Sequence, residues 1–158
     1  MRSFRPEMDI DAMFAVYGDP EVMRFIPGGA LADEAAVRSL LVAYADAQQR
    51  RGFSSWAVVD RASSRVIGDA GFGMFAPTGD VELGYTLARG RWGHGYATEA
   101  ASACLAAGLA ELSAPRIIAL VDEENEASLR VPERIGMTRV ETIQAHGRAH
   151  VLFAASRS

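Results

Sequence analysis

The chain has 158 residues and a mass of 16.9 kDa, the size of one ordinary domain, and one domain spanning 1–158 is expected. Hydrophobic residues at 49% and charged residues at 23% exclude wholesale disorder. With 20 acidic against 16 basic residues the formal charge is −4, which argues against nucleic acid as the main partner, because phosphate affinity comes from a surplus of Lys and Arg.

The chain contains no lysine, so every strong cation is an arginine. One cysteine, Cys104, rules out an internal disulfide. Cys104 with His94, His146 and His150 makes no zinc-type ligand set, so no metal is expected. No apolar run approaches the roughly 18 residues of a membrane span. The N-terminus lacks the apolar stretch of a signal peptide. These features predict a soluble cytoplasmic protein with no membrane partner.

Taken in chain order, Arg2 to Pro6 reads as a short strand. Asp9 to Gly18 reads as a helix capped by Asp9, with Ile10, Met13, Phe14 and Tyr17 on its apolar face. Pro27-Gly28-Gly29 is a loop. Asp33 opens a second helix, marked by Val37, Leu40, Leu41 and Tyr44 and ending near Gly52. Phe53 to Val59 and Arg65 to Phe75 form a hairpin around Asp60 to Ser64, and Val81 to Leu87 is a further strand. Arg89 to Gly95 is a glycine-rich loop. Tyr96 to Leu112 is a long helix of Ala, Leu and Ser, small enough to lie close on a sheet. Ile117 to Val121 is a buried strand, and Asn125 caps a helix that Gly136 ends. Val140 to Ile143 and His150 to Ala154 close the chain as a hairpin around Gly147. The order β-α-α-β-β-β-α-β-α-β-β predicts an α/β (α+β) domain with a mixed sheet.

Strand, glycine loop and helix start meet between Val81 and Ala100. A helix start leaves about four backbone N–H groups unpaired, and the dipole adds about half a positive charge. Glycines let the main chain approach a ligand without a Cβ in the way. Together these suit a diphosphate. The P-loop reading fails because it requires a lysine. The dinucleotide fingerprint is nearly met by Gly93 and Gly95, with Thr98 at the third place and Asp122 ending the next strand. Its usual repeated strand–helix context is missing, since hairpins flank the site. Coenzyme A is the third candidate.

Three segments carry a family resemblance: Glu82-Leu83-Gly84-Tyr85, then Trp92-Gly93-His94-Gly95-Tyr96-Ala97-Thr98-Glu99-Ala100, then Asn125-Glu126-Ala127-Ser128 followed by Ile135-Gly136-Met137. Asp19-Pro20-Glu21-Val22 adds an early motif. In order and spacing the chain resembles the GNAT superfamily of acyl-CoA-dependent N-acetyltransferases, in its ribosomal-protein N-acetyltransferase-like (RimJ/RimL-like) branch. The resemblance implies a mostly antiparallel sheet splayed between its fourth and fifth strands, with helices on both faces. It implies acetyl-CoA as co-substrate and a small-molecule or peptide primary amine as acceptor. Homodimers are common in the branch.

Residue by residue, the resemblance implies that the amides of Trp92, Gly93, His94, Gly95, Tyr96, Ala97 and Thr98 bind the pyrophosphate. The first place of the family's loop pattern falls on Gly90, a departure that leaves Arg89 and Arg91 to supply charge. The backbone of Leu83, Tyr85 and Leu87 would contact pantetheine, and the amide near Thr86 would hold the thioester oxygen. Asn125 and Ser128 would form the other wall, although Asn125 is also an ordinary helix cap. A primary amine near pKa 10 needs a base. Glu82 is the candidate, because it alternates with apolar Val81 and Leu83 and so faces away from them. The family's tyrosine acid falls on Pro132, which has no hydroxyl, so Ser128 is kept as candidate acid. Asp19, Glu21, Asp33, Glu34 and Arg148 lie in the acceptor-binding segments, and their acidic balance suits a cationic amine. A non-catalytic acyl-CoA-binding module of the same fold is the alternative, motivated by Pro132 and Gly90.

Overall fold

The structure, a computed structural model, describes residues 1–157. Helix α1 (Pro6–Tyr17) and helix α2 (Glu34–Arg51) come first. Strands β1 (Ser55–Val59), β2 (Val66–Phe75) and β3 (Asp80–Leu87) follow as a meander. Helix α3 (Tyr96–Glu111), strand β4 (Ile117–Asp122), helix α4 (Glu126–Arg134) and the hairpin of β5 (Thr138–Ala145) and β6 (Arg148–Ala155) complete the fold. The six strands lie in the order β1-β2-β3-β4-β6-β5, and only β3 and β4 run parallel.

Two expectations for the N-terminus are corrected. Arg2 to Pro6 is not a strand; it makes a single bridge, Arg2 to Ala57. The splay expected between the fourth and fifth strands therefore falls between the third and fourth. The first helix starts at Pro6 rather than after Asp9. Proline has no amide to lose at the first helical position, and its fixed φ suits it. Asp9 sits buried inside that helix, where it accepts from the Arg5 amide at 2.7 Å and takes both ends of the Arg2 guanidinium at 2.8 Å. The other ends follow the sequence. Asp33 caps α2 by accepting from the Ala36 amide, and Gly52 ends it at φ 78°.

Alternation along each strand sends apolar side chains to two cores. Val81, Leu83 and Leu87 of β3 join Phe72, Ala119, Val121 and Phe153 beneath α3. On the opposite face α1 and α2 pack Met13, Val16, Val37 and Leu41 against Ala57. A smaller cluster of Phe75, Ile118, Ala145 and Leu152 lies under the closing hairpin. Cys104 is a buried core residue of α3, and burial pushes its thiol up to about 11.

Helix α3 rides close on the sheet because its buried face is small: Ala100, Ala101, Cys104 and Gly108. A Cβ at Gly108 would lie 2.5 Å from Phe72 Cζ and 2.7 Å from Ile117 Cδ1. Phe72 cannot swing away, since Phe53 and Trp56 pack edge-on against its ring at 6.3 and 6.0 Å. Alanine would gain about 1 kcal/mol in helix propensity but would overpack this contact at a cost of about 1–3 kcal/mol. Gly108→Ala is therefore expected to lower the urea midpoint of unfolding, and a raised midpoint would show that the helix has room.

Candidate active site

The site begins where the sheet stops pairing. Strands β3 and β4 are joined only at Val81–Ile117 and Glu82–Ile118, yet β3 runs on to Leu87 and β4 to Asp122. Ala88 donates its amide to the Ile67 carbonyl at 2.9 Å, in register with the β2–β3 ladder. Backbone groups alternate sides along such a strand. Glu82, Gly84 and Thr86 therefore turn theirs to β2, while Leu83, Tyr85 and Leu87 turn theirs toward β4. Beyond the last bridge, the amides of Tyr85 and Leu87 face an open gap. This corrects one expectation: the Thr86 amide faces Asp69 of β2, its partner in the register, and not the gap.

The loop after β3 tightens into a 3₁₀ turn, Arg89–Arg91. The Trp92 amide closes that turn on the Arg89 carbonyl at 3.2 Å, so it is not a free donor as expected. The amides of Gly93, His94, Gly95, Tyr96, Ala97 and Thr98 find no acceptor among the described residues. Gly93 (φ 76°) and Gly95 (φ 83°) are left-handed, which winds the intervening chain into a nest of N–H groups. Gly95 is the cap of α3 and has no side chain to occupy the first-turn amides. The Trp92 indole anchors the loop by donating to the Leu87 carbonyl at 2.9 Å. The His94 ring is exposed, stacks on Tyr96 at 6.2 Å and bonds through Nδ1 to the Trp92 carbonyl at 2.7 Å. Arg89 and Arg91, expected to supply charge beside Gly90, are engaged elsewhere: Arg89 pairs with Asp19 at 3.0 Å and Arg91 with Asp60 at 3.4 Å.

On the face away from α3, the gap opens into a cavity of about 260 Å³. Its floor is glycine: Gly71 and Gly73 of β2 and Gly84 of β3. Glu82 stands at one end of the floor, opposite Gly73. Burial pushes its carboxyl up to about 7, with no cation nearby to oppose the shift. Asp69 and Thr86, directly paired, stand at the other end. Burial raises Asp69 to about 6, against the hydroxyls of Tyr17, Ser55 and Thr86, which lower it. Its Oδ1 still lacks a well-formed hydrogen bond.

The far wall is α4. Asn125 caps it by accepting from the Ser128 amide at 3.2 Å. Pro132 lies inside α4 and has no amide for the Ser128 carbonyl. Tyr85 takes that place: its hydroxyl donates to the Ser128 carbonyl at 3.1 Å, and the Ser128 hydroxyl donates back to it at 3.3 Å. Burial holds the Tyr85 phenol at about 12, so it remains a donor.

Of the residues named from sequence, Glu82, Leu83, Tyr85, Thr86, Asn125 and Ser128 converge on the one cavity, and Gly93 to Thr98 form the adjoining nest. Sequence reading missed Phe25, Asp69, His146 and His150, which line the same cavity. Asp69 had a usable signal, a carboxylate in the otherwise apolar strand Val66–Phe75. Among the described residues no group of His, Cys, Asp and Glu is arranged to hold a metal, and no helix is long and apolar enough to cross a membrane.

The Tyr85–Ser128 bond replaces the one that Pro132 removes, so the two positions should be coupled. Tyr85→Phe is expected to cost about 1–2 kcal/mol, the price of an unpaired buried carbonyl. The cost should shrink in a Pro132→Ala background, where a helix amide returns. A double-mutant cycle in urea measures the coupling, and strictly additive effects would refute it.

Comparison with known proteins agrees with this geometry. Residues 1–138 match the acetyltransferase (GNAT) domain family. The uncharacterized protein YkkB of Bacillus subtilis is 35% identical over 131 residues, covering 82% of this chain and 75% of that protein. A GNAT-family acetyltransferase from Bacillus anthracis superposes with a TM-score of 0.81 at 28% identity, covering 98% of this chain and 92% of that one. The spermidine N-acetyltransferase of Vibrio cholerae, solved with CoA and spermine, shares the fold with a TM-score of 0.78 at 15% identity, covering 99% and 94%. A sheet opened at its one parallel pair, a nest of free amides at the start of α3 and a match over most of the chain's length lead to one conclusion: this protein belongs to the GNAT acetyltransferase family.

Proposed function

We propose that the protein transfers an acetyl group from acetyl-CoA to a primary amine by direct attack within a ternary complex. The observation that carries this reading is the run of six unpaired amides from Gly93 to Thr98 beside a gap lined by unpaired strand backbone. A diphosphate fits such a nest at a helix start. An extended amide chain fits a strand edge, as an added strand would. The V. cholerae neighbour, which shares the fold, was solved with CoA.

Bound acetyl-CoA supplies the thioester acyl group. The chain's own groups do the rest. Gly93 to Thr98 hold the phosphates, and Leu83, Tyr85 and Leu87 align the cofactor arm. The Tyr85 amide, which faces the gap, is the donor suited to the developing oxyanion, in place of Thr86. Glu82, poised at about 7, accepts one of the two protons that an ammonium group must lose. The other proton ends on sulfur, and the Ser128 hydroxyl, which lines the cavity beside Tyr85, is the candidate donor. Asn125 holds that wall by capping α4.

Two measurements test the reading. Gly95→Asp is the ligand-binding variant, with Gly95→Ala as its control: a Cβ there meets nothing within 4 Å, but any side chain strains the left-handed φ of 83°. Gly95→Asp is expected to weaken CoA binding roughly 10- to 100-fold by calorimetry, because a carboxylate would sit among donors meant for phosphate. Unchanged affinity would refute the loop assignment. With Glu82 as base, activity falls as pH drops through about 7, where the carboxylate is protonated. Glu82→Gln should lower turnover roughly 100-fold or more and abolish that acid limb. Tight CoA binding with no turnover on any amine would leave a binding module of the same fold.

A further inference from the structure

The acceptor cavity does not end at Glu82. A second cavity of about 160 Å³ adjoins it and shares Phe25, Ile26, Pro27, His146 and His150 as lining. Glu82 lines the larger cavity only. The outer chamber adds Arg24 and Arg148 and has no carboxylate in its lining. Of the two, only Arg24 is left without a carboxylate partner among the described residues, since Arg148 is tied to Asp122 and Glu124.

The cations are arranged around one ring. The Arg24 guanidinium lies 5.2 Å from the Phe25 centroid and that of Arg148 lies 5.4 Å from it. Arg148 is held in place by Asp122 at 2.7 Å and Glu124 at 2.6 Å, which balance its charge. Arg24 forms no ion pair among the described residues. His150 is buried, and its Nδ1 donates to the Arg148 carbonyl at 3.1 Å, leaving Nε2 as its one uncommitted ring nitrogen. His146 packs against it at 6.0 Å from the left-handed turn position that begins β6's hairpin, at φ 52°.

We propose that this outer chamber binds an oxyanion carried by the acceptor, so that the preferred substrate is an amine with a carboxylate or phosphoryl group at its far end, not a polycation. This rests on the acetyltransferase reading and names the substrate class for the same site. Glu82 takes the amine end, and Arg24 takes the anion, with the imidazoles of His146 and His150 beside it. Glu82 lies level with Ile118, whereas His150 lies level with Asp122, four residues further along β4. That offset is about 13 Å of strand between main-chain positions, so acceptors whose amine and anion lie several bonds apart are favoured.

The test is a matched panel of linear acceptors: diamines, ω-aminocarboxylates and aminoalkyl phosphates of equal and increasing length. The expected result is a kcat/KM roughly 10- to 100-fold higher for the anionic compounds than for the diamines, rising with chain length to an optimum. The carboxylate and phosphate arms identify which oxyanion is taken. Arg24→Ala should collapse that ratio, Arg24→Glu should invert it, and Arg24→Lys should keep most of it. Diamines equal to or better than the anionic series, or a ratio unmoved in Arg24→Ala and Arg24→Glu, would overturn the proposal. Titration of glutarate and of inorganic phosphate, followed by NMR on His146 and His150, provides a readout without turnover. Shifts lost in Arg24→Ala support the chamber, and the absence of shifts with either probe in the wild type overturns it. Calorimetry with CoA runs in parallel. Anion binding without CoA binding would sink the acetyltransferase reading alone, whereas CoA binding without charge preference would sink this one alone.

Discussion

A parallel ladder that stops after two residue pairs is the constraint on which this molecule is built. Backbone N–H and C=O groups in a protein interior must find partners. Here β3 and β4 part after Glu82 and Ile118 and leave a row of such groups facing each other across empty space. The fold holds the strands apart by packing each on its outer side. Strand β3 is committed to β2 through eight consecutive register pairs, and β4 to β6 through six. Helix α3 spans the split from below, and its start delivers the amide nest to the same opening. Unpaired strand backbone and unpaired helix-start amides thus open onto one defect in the sheet.

Charge inside the cleft follows from burial. Glu82 and Asp69 are both raised above ordinary carboxylates by loss of water, to about 7 and about 6. For each, the folded value exceeds the unfolded one. Their neutral forms favour the native state below the ordinary carboxylate range, and that contribution is lost as pH rises through those values. Ionisation therefore works against the fold near neutrality. A carboxylate held in this way is a better base than a solvated one, and the strain is relieved when a cation enters. Three arginines are held away from Glu82 and Asp69: Arg89, Arg91 and Arg116 are tied to Asp19, Asp60 and Asp80.

Local signals were legible in the sequence to the extent that they were local. Asp33, Gly52, Asn125 and Gly136 marked helix ends, and the hairpins announced themselves through turn residues. The period-2 pattern around Glu82 put it on the face opposite Val81 and Leu83, where the structure has it. Errors arose where a tertiary partner decided. Asp9 looked like a cap, but the Arg2 guanidinium draws it into a buried pair and Pro6 starts the helix earlier. Arg2 to Pro6 had strand composition but only one bridge to make. The Thr86 amide was one residue out of phase, because register with β2 is not written in β3 alone. Trp92 is no free donor, and the 3₁₀ turn at Arg89–Arg91 that takes its amide leaves no sequence signature. Phe25 comes from a 3₁₀ turn before α2, His146 from the turn between β5 and β6 and His150 from β6 itself, and only the closing hairpin brings them together.

The glycine floor has a consequence of its own. Gly73 and Gly84 carry no side chain into the acceptor cavity, and a methyl group at either would touch no atom of the protein within 4 Å. The walls of the chamber are thus set by main chain, while its depth is left to positions that folding does not police. Small residues could be exchanged there over generations to admit slimmer or bulkier amines, with the machinery for handling the thioester left untouched. A scaffold of this kind leaves the shape of the cavity free to change without disturbing the sheet that frames it.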